Sequence, residues 1–226
     1  MAEPALARRT ENTRVPVLAM ANRFNRYKPE TEKAVRKVEV VEDETLRQLK
    51  KAWGTFKYDN TDPDFYNKAA NVVKKLDYSA SDVENFSLAL AEFQDEGGFQ
   101  SKAGVFLSAL TNNGKDSDYV IHTAHLEVPV NLIGCFNTKN IVVNGDVGKA
   151  VGSGMKNGTI TVNGNAGSAA GIGMLGGSIT VEGNAADAFG WYMQGGEIHI
   201  QGEIGKIAND IDHGKIYHKG KLIVNK

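Results

Sequence analysis

Residues 141–215 read IVVNGDVGKAVGSGMKNGT (141–159), ITVNGNAGSAAGIGMLGGS (160–178), ITVEGNAADAFGWYMQGGE (179–197) and IHIQGEIGKIANDIDHGK (198–215). Ile141, Ile160, Ile179 and Ile198 recur every 19 residues, as do Gly145, Gly164, Gly183 and Gly202, and Met155, Met174 and Met193. Fixed-period self-similarity of this length marks a solenoid, in which each repeat buries its apolar face on its neighbours. Each cassette opens on an alternating apolar trio, so its first and third side chains share one face of a strand. A polar residue follows (Asn144, Asn163, Glu182, Gln201), then the glycine, which suits a corner needing positive φ or close packing without a Cβ. Asn157-Gly158, Gly176-Gly177 and Gly195-Gly196 are turn dipeptides in the same phase.

No cassette has helical spacing, and none is long enough for a strand plus a full helix. The expected unit is therefore one coil of a parallel β-helix, rising roughly 4.8 Å by pairing with the next. Isoleucines, valines and methionines then stack inside, and amides stack at a corner as ladders. The competing reading, a meander of short antiparallel strands, does not call for equal cassette lengths.

Working outward, composition changes near residue 120. Twenty of the 25 glycines lie between Gly134 and Gly220. Before them, residues 1–28 carry Arg8, Arg9, Arg14, Arg23, Arg26 and Lys28 against Glu3 and Glu11. This basic arm is the one hint of a nucleic-acid or acidic partner, and it is read as an extension rather than a nucleic-acid interface. Residues 29–118 form a mostly helical region and residues 119–226 the β-helix.

Within the helical region, Val35 to Val41 suggests a short strand. Asp43 precedes Leu46, Leu49 and Trp53 at helical spacing, with Gly54 as the stop. Asp62-Pro63 predicts a helix burying Phe65, Ala69, Val72 and Leu76. Ser81-x-x-Glu84 matches a capping box ahead of Phe86, Leu90 and Phe93, ended by Gly97-Gly98. A fourth helix is expected from about Ser101 to Leu110, ended at Asn112-Asn113-Gly114. Tyr119-Val120-Ile121 begins the lead-in to an irregular first coil containing Pro129 and Cys135. An open β-helix exposes strand edges at both ends, so the helices are expected to cap the first coil. The last coil turns polar, with Asn209 where earlier cassettes have glycine. The segment GKIYHKGKLIVNK closes the fold, with Leu222 and Val224 expected inward.

The run Gly164-Asn165-Ala166-Gly167-x-x-x-Gly171-x-Gly173-Met174-x-Gly176-Gly177 resembles the GXGXG domain. That domain closes the large subunit of glutamate synthase and also occurs in formylmethanofuran dehydrogenase, as one of its subunits. The resemblance covers roughly residues 126–225. It implies a right-handed β-helix with an architectural task beside catalytic neighbours. Cassette three departs from it, with Ala186 and Tyr192 at glycine positions. Glutamate synthase's amidotransferase cysteine, flavin barrel and iron–sulfur cysteines have no counterpart here.

Few residues suggest chemistry. The glycine-rich segments lack the following helix of a dinucleotide fold and the GK[ST] of a P-loop. Cys135 with His122 or His125 would be a nucleophile pair or a metal site, but in a regular strand the two histidines face opposite sides. Asp210, Asp212 and His213 are metal candidates in the last coil, against the simpler reading of a solvated polar turn. Trp191 and Tyr192 replace small residues of earlier cassettes and fit a partner contact. The net charge of −1 excludes a generally basic nucleic-acid binder. The single cysteine excludes an internal disulfide and a CxxC cluster. No apolar run approaches the roughly 18 residues of a membrane span, and no signal-peptide core is present. The expectation is a cytoplasmic, noncatalytic scaffold or assembly protein that contacts a protein partner or a second copy and needs no cofactor. A noncatalytic subunit of a glutamate synthase-like or formylmethanofuran dehydrogenase-like complex is the alternative, followed by a Cys/His hydrolase.

Overall fold

A computed structural model describes residues 42–226, all within one compact unit. The basic arm and the strand expected at Val35–Val41 lie outside the described residues. Among the described residues four helices come first: α1 (Glu44–Thr55), α2 (Phe65–Val73), α3 (Ala80–Ala89, continued by a 3-10 turn at Leu90–Phe93) and α4 (Phe99–Asn113). Seven strands follow: β1 (Asp118–His122), β2 (Asn140–Asn144), β3 (Thr159–Val162), β4 (Ser178–Val181), β5 (Gln194–Ile200), β6 (His213–His218) and β7 (Lys221–Asn225). They form one sheet in chain order, parallel from β1 to β6 with an antiparallel β7. A second row of bridges runs Val130, Val147, Ala166, Ala185, Ile204, again one residue per coil. Parallel neighbours joined without a helix make the chain a β-solenoid.

Like sits on like, as the period demands. Tyr119, Ile141, Ile160, Ile179, Ile198 and Ile216 occupy successive rungs. Met155, Met174 and Met193 are fully buried. The column from Gly164 to Gly202 is required by close approach rather than by φ. A Cβ on Gly164, Gly183 or Gly202 would strike the carbonyl oxygen of the glycine one coil earlier. Only Gly145 of this column has positive φ, at 128°. The amide ladder runs differently from the expectation. Asn163 Nδ2 donates to Asn144 Oδ1 (2.9 Å), but the longer ladder lies two residues on. There Asp146, Asn165 and Asn184 each accept the backbone N–H one coil later, at 2.8, 2.9 and 2.7 Å.

The helices pack round Trp53, whose ring lies 5.3–6.2 Å from those of Phe86, Phe93, Phe99 and Phe106. Asp43 caps α1 by accepting the Leu46 N–H at 2.8 Å, and the helix runs one residue past Gly54. Helix α2 starts at Phe65 rather than Pro63, because Asp62 accepts the Asp64 N–H at 2.9 Å and holds a turn there. Ala69 and Val73 are buried on it, Phe65 and Val72 are half-buried against the core, and it ends before Leu76. The capping box is Ser79 with Asp82, not Ser81 with Glu84. Starting two residues earlier buries Val83 and Phe86 and leaves Glu84 to meet His122. Helix α4 is the longest of these four at 15 residues, exceeding the expected Ser101–Leu110.

These helices seal the first coil. Ser87 Oγ accepts the His122 N–H (3.0 Å), Gln94 Oε1 the Glu127 N–H (3.0 Å) and the Gln100 carbonyl the Asn131 N–H (3.0 Å). Ser108 Oγ accepts the Cys135 N–H (3.1 Å), and its hydroxyl lies 2.6 Å from the Gly104 carbonyl and 3.0 Å from that of Leu132. Each such donor left unpaired and buried would cost about 1–3 kcal/mol. At the other end Leu222 does not face inward. The β6–β7 register pairs Ile216 with Val224 but Tyr217 with Leu222, so Ile223 is a bulge. One extra residue turns Leu222 to the solvent side, where it is 43% exposed.

Candidate functional site

One corner of the solenoid has a left-handed backbone in each of its first four coils. Phe136, Gly154, Gly173 and Tyr192 occupy it with φ of 55°, 60°, 62° and 54°. In each, the N–H donates to a carbonyl of the next coil: Ser153 (2.8 Å), Ile172 (2.8 Å), Trp191 (2.7 Å) and Asp210 (2.8 Å). Glycine adopts this conformation freely; a bulky aromatic in it carries strain of about 1–2 kcal/mol. Coils two and three use glycine, and coil four carries Tyr192.

Tyr192 stacks on Trp191 with centroids 5.1 Å apart and planes 23° from parallel. They are 52% and 39% exposed, and Leu175 from the preceding coil is 49% exposed. Met193 points inward, so Tyr192 and Gln194 flank it on the outside. The Met193 carbonyl accepts the N–H groups of Asp212 (2.9 Å) and His213 (3.2 Å). Gln194, Asp212 and His213 thereby line a depression of about 380 Å³. Asp210, Asp212 and His213 are exposed, and among the described residues Asp210 and Asp212 form no ion pair. The aromatic pair and the polar turn, separate in the sequence, therefore share one corner. Gln194 and Leu175 were missed as members. Counting one coil back or forward from Tyr192 would have found Leu175's neighbourhood and Asp210.

As a metal site this corner has no support. Among the described residues no three His, Cys, Asp or Glu side chains converge to hold an ion. The Cys135 pairings fare no better. Cys135 is buried beside Ser108, its carbonyl accepts from Asn112 Nδ2 at 3.1 Å, and burial pushes its thiol up to about 12. A thiol so poorly ionised is a weak nucleophile. His122 and His125 do not face opposite sides of a strand, because β1 ends at His122 and His125 sits in the turn after it. His122 Nε2 lies 2.8 Å from Glu84 Oε1 on α3. Burial, and then His122, lower the pKa of His125, against a hydrogen bond with the Leu88 backbone on the same helix. Both histidines therefore belong to the joint between cap and solenoid.

A second depression, about 400 Å³, lies in the helical cap beside Glu96 and Lys102. Lys102 is buried, stands 4.0 Å from the Trp53 ring centroid and donates to Glu96 at 2.8 Å. Burial raises the Glu96 carboxyl, but hydrogen bonds from Lys102 and Trp53 outweigh it and hold the group below its ordinary value. This cluster satisfies itself and fastens the cap's core.

Fold and corner together define a helix-capped β-solenoid with an aromatic, acidic edge. No family model, curated protein or solved structure matches the chain. No helix among the described residues is long and apolar enough to cross a membrane.

Proposed function

We propose that this chain is a noncatalytic scaffold whose capped solenoid presents a rigid corner for protein–protein contact. The observation that carries the reading is the exposed Trp191–Tyr192 stack, kept at a backbone position where the two preceding coils use glycine. Exposed aromatics on a rigid frame bury large area at little entropic cost, which makes them good contact anchors. The surrounding isoleucine and methionine ladders are buried and serve the structure. We place the scaffold in the cytoplasm, where a lone buried thiol needs no partner. Membership as a noncatalytic subunit of a glutamate synthase-like or formylmethanofuran dehydrogenase-like complex has only the cassette resemblance behind it.

The test is affinity purification of the full chain from cells that naturally make it, beside a Trp191→Ala/Tyr192→Gly variant. A stoichiometric companion held by the first and lost by the second is the expected result. The same companions with both, or a bare monomer from the unaltered chain, overturns the reading.

A further inference from the structure

We propose that the corner takes an arginine-bearing segment of a partner protein. The guanidinium would stack on Trp191–Tyr192 and donate to the carboxylates of Asp210 and Asp212. The inference rests on the protein-contact reading and names its chemistry.

Charge distribution decides the class of occupant. Of the lysines on the last coils, Lys215 reaches Glu197 at 3.4 Å and Lys219 reaches Glu203 at 2.7 Å, while Lys206, Lys221 and Lys226 are not among the residues lining the depression. No lysine lines the depression, and Asp210 and Asp212 are exposed and unpaired among the described residues. The corner therefore offers negative charge next to an open π surface. A phosphate or other anion would be repelled by the carboxylates. A purely apolar segment would cover Trp191 and Tyr192 but desolvate the carboxylates without return. A cation uses both features, since an ammonium or guanidinium is drawn to an aromatic face and to a carboxylate alike.

Geometry then favours arginine over lysine. The backbone bond from Tyr192 N–H to the Asp210 carbonyl, 2.8 Å long, fixes the aromatic residue directly against the acidic turn. Asp212 is fixed in the same way by the Met193 carbonyl at 2.9 Å. A planar fork with donors along its edge can lie on the ring and still reach a carboxylate, whereas an ammonium is a compact point charge. Gln194 and His213, which line the adjoining depression with Asp212, are placed for the segment's backbone.

The experiment is an NMR titration of the full chain, following the indole N–H signals of Trp53 and Trp191, with Trp191→Phe to assign them. The probe is N-acetyl-Gly-Arg-Gly-Arg-Gly-amide, compared with the same peptide carrying citrulline, a neutral near-isostere. The arginine peptide should move the Trp191 signal saturably, leave that of buried Trp53 in place, and bind less tightly as salt rises. Citrulline should weaken binding about fivefold or more, and D210N/D212N should do the same without shifting the melting temperature, since exposed charge pairs are individually modest. Equal binding by the two peptides, or no effect of D210N/D212N, overturns the proposal. So does a Trp191 signal that stays fixed up to about 10 mM arginine peptide or that moves instead with a neutral oligosaccharide. If the companion in the purification is lost with Trp191→Ala/Tyr192→Gly yet indifferent to D210N/D212N, the contact stands and its cationic chemistry falls. If the companion ignores both variants, the two readings fail together.

Discussion

The two ends of the solenoid face the same physical problem and meet it by different means. Both expose a strand edge with unpaired N–H and C=O groups and a cross-section of the apolar core. At the first coil, the side chains of Ser87, Gln94 and Ser108 and the Gln100 carbonyl bond the N–H groups of residues 122, 127, 135 and 131. At the last coil no helix among the described residues is used. An antiparallel hairpin folds back through Lys219 and Gly220, at φ of 49° and 75°, and its outer strand is bulged at Ile223 and flanked by lysines. Bulges, short strands and lysines are the ordinary ways of blunting an edge. One end is thus sealed by specific contacts and the other only made unattractive. Damage at the first should cost far more than damage at the second.

The largest effect expected is at Gly104. A Cβ there would overlap the Asn131 carbonyl, so α4 lies directly on the first coil. Gly104→Val should lift the cap and cost about 3 kcal/mol or more, because backbone, not a flexible side chain, blocks the way. Urea unfolding measures the loss, and hydrogen exchange should show it concentrated in residues 118–139. Ser108→Ala comes next. It removes a hydroxyl that accepts the Cys135 N–H and lies 2.6 Å from the Gly104 carbonyl, while the Cys135 N–H keeps the Leu132 carbonyl at 3.2 Å, so it should cost about 1.5 kcal/mol by the same unfolding measurement. A loss near zero would mean water replaces the hydroxyl and the seal is looser than it looks.

The contrast between the ends also separates what the chain announces from what it hides. The Ile141–Ile198 and Met155–Met193 ladders are legible because every coil buries the same position, so the 19-residue period is written directly in apolar residues. The seal is not legible. Ser87, Gln94 and Ser108 act once each, at places fixed by how the helices lie on the coil, and they leave no period. The capping box was ambiguous for a local reason, since Ser79-x-x-Asp82 and Ser81-x-x-Glu84 both have the spacing, and burial of Val83 and Phe86 chooses between them. Leu222 was misplaced because period-2 counting fails across a bulge. The candidate corner was half legible: Trp191–Tyr192 and Asp210–His213 stand out separately. Their meeting depends on a final coil of 18 residues, from Ile198 to Ile216, that sets Tyr192 against Asp210.

Phe136 and Tyr192 sharpen the comparison, because they hold the same left-handed corner near opposite ends. Phe136 packs edge-on to Tyr66 of the cap, with centroids 5.0 Å apart. Phe136→Gly should therefore lose about 1–2 kcal/mol of seal packing even though strain is relieved. Tyr192→Gly relieves the same strain and loses only its stack on Trp191, so it should change stability by less than about 1 kcal/mol. Thermal melts of the two variants side by side test the difference. Similar losses would show that the Trp191–Tyr192 stack is structural, and the case for a contact site would weaken.

Mild acid should act on the sealed end through His125. The folded-state pKa of His125 lies below its ordinary 6.5, through burial and through His122, so the unfolded chain takes up that proton first. Stability from this group is complete above about 6.5 and is lost as pH falls below it. The groups described around it are His122, itself 2.8 Å from Glu84, and the Leu88 backbone. His125→Gln should flatten the fall in melting temperature below pH 6.5, and identical slopes would remove His125 from the joint.

The smallest effect belongs to the blunted end. Leu222 is 43% exposed opposite Tyr217, and Ile223 is 37% exposed in the bulge. Leu222→Thr removes apolar surface that is already half in water and supplies a β-branched residue suited to a strand. It should change unfolding stability by about 0.5 kcal/mol or less. The backbone bonds between Gly214 and Lys226, 3.0 and 3.1 Å, hold the hairpin whatever side chain stands at 222. A loss comparable to that of Ser108→Ala would mean that Leu222 is covered in solution. The last coil would then be sealed by a contact like the first, and the asymmetry between the ends would disappear.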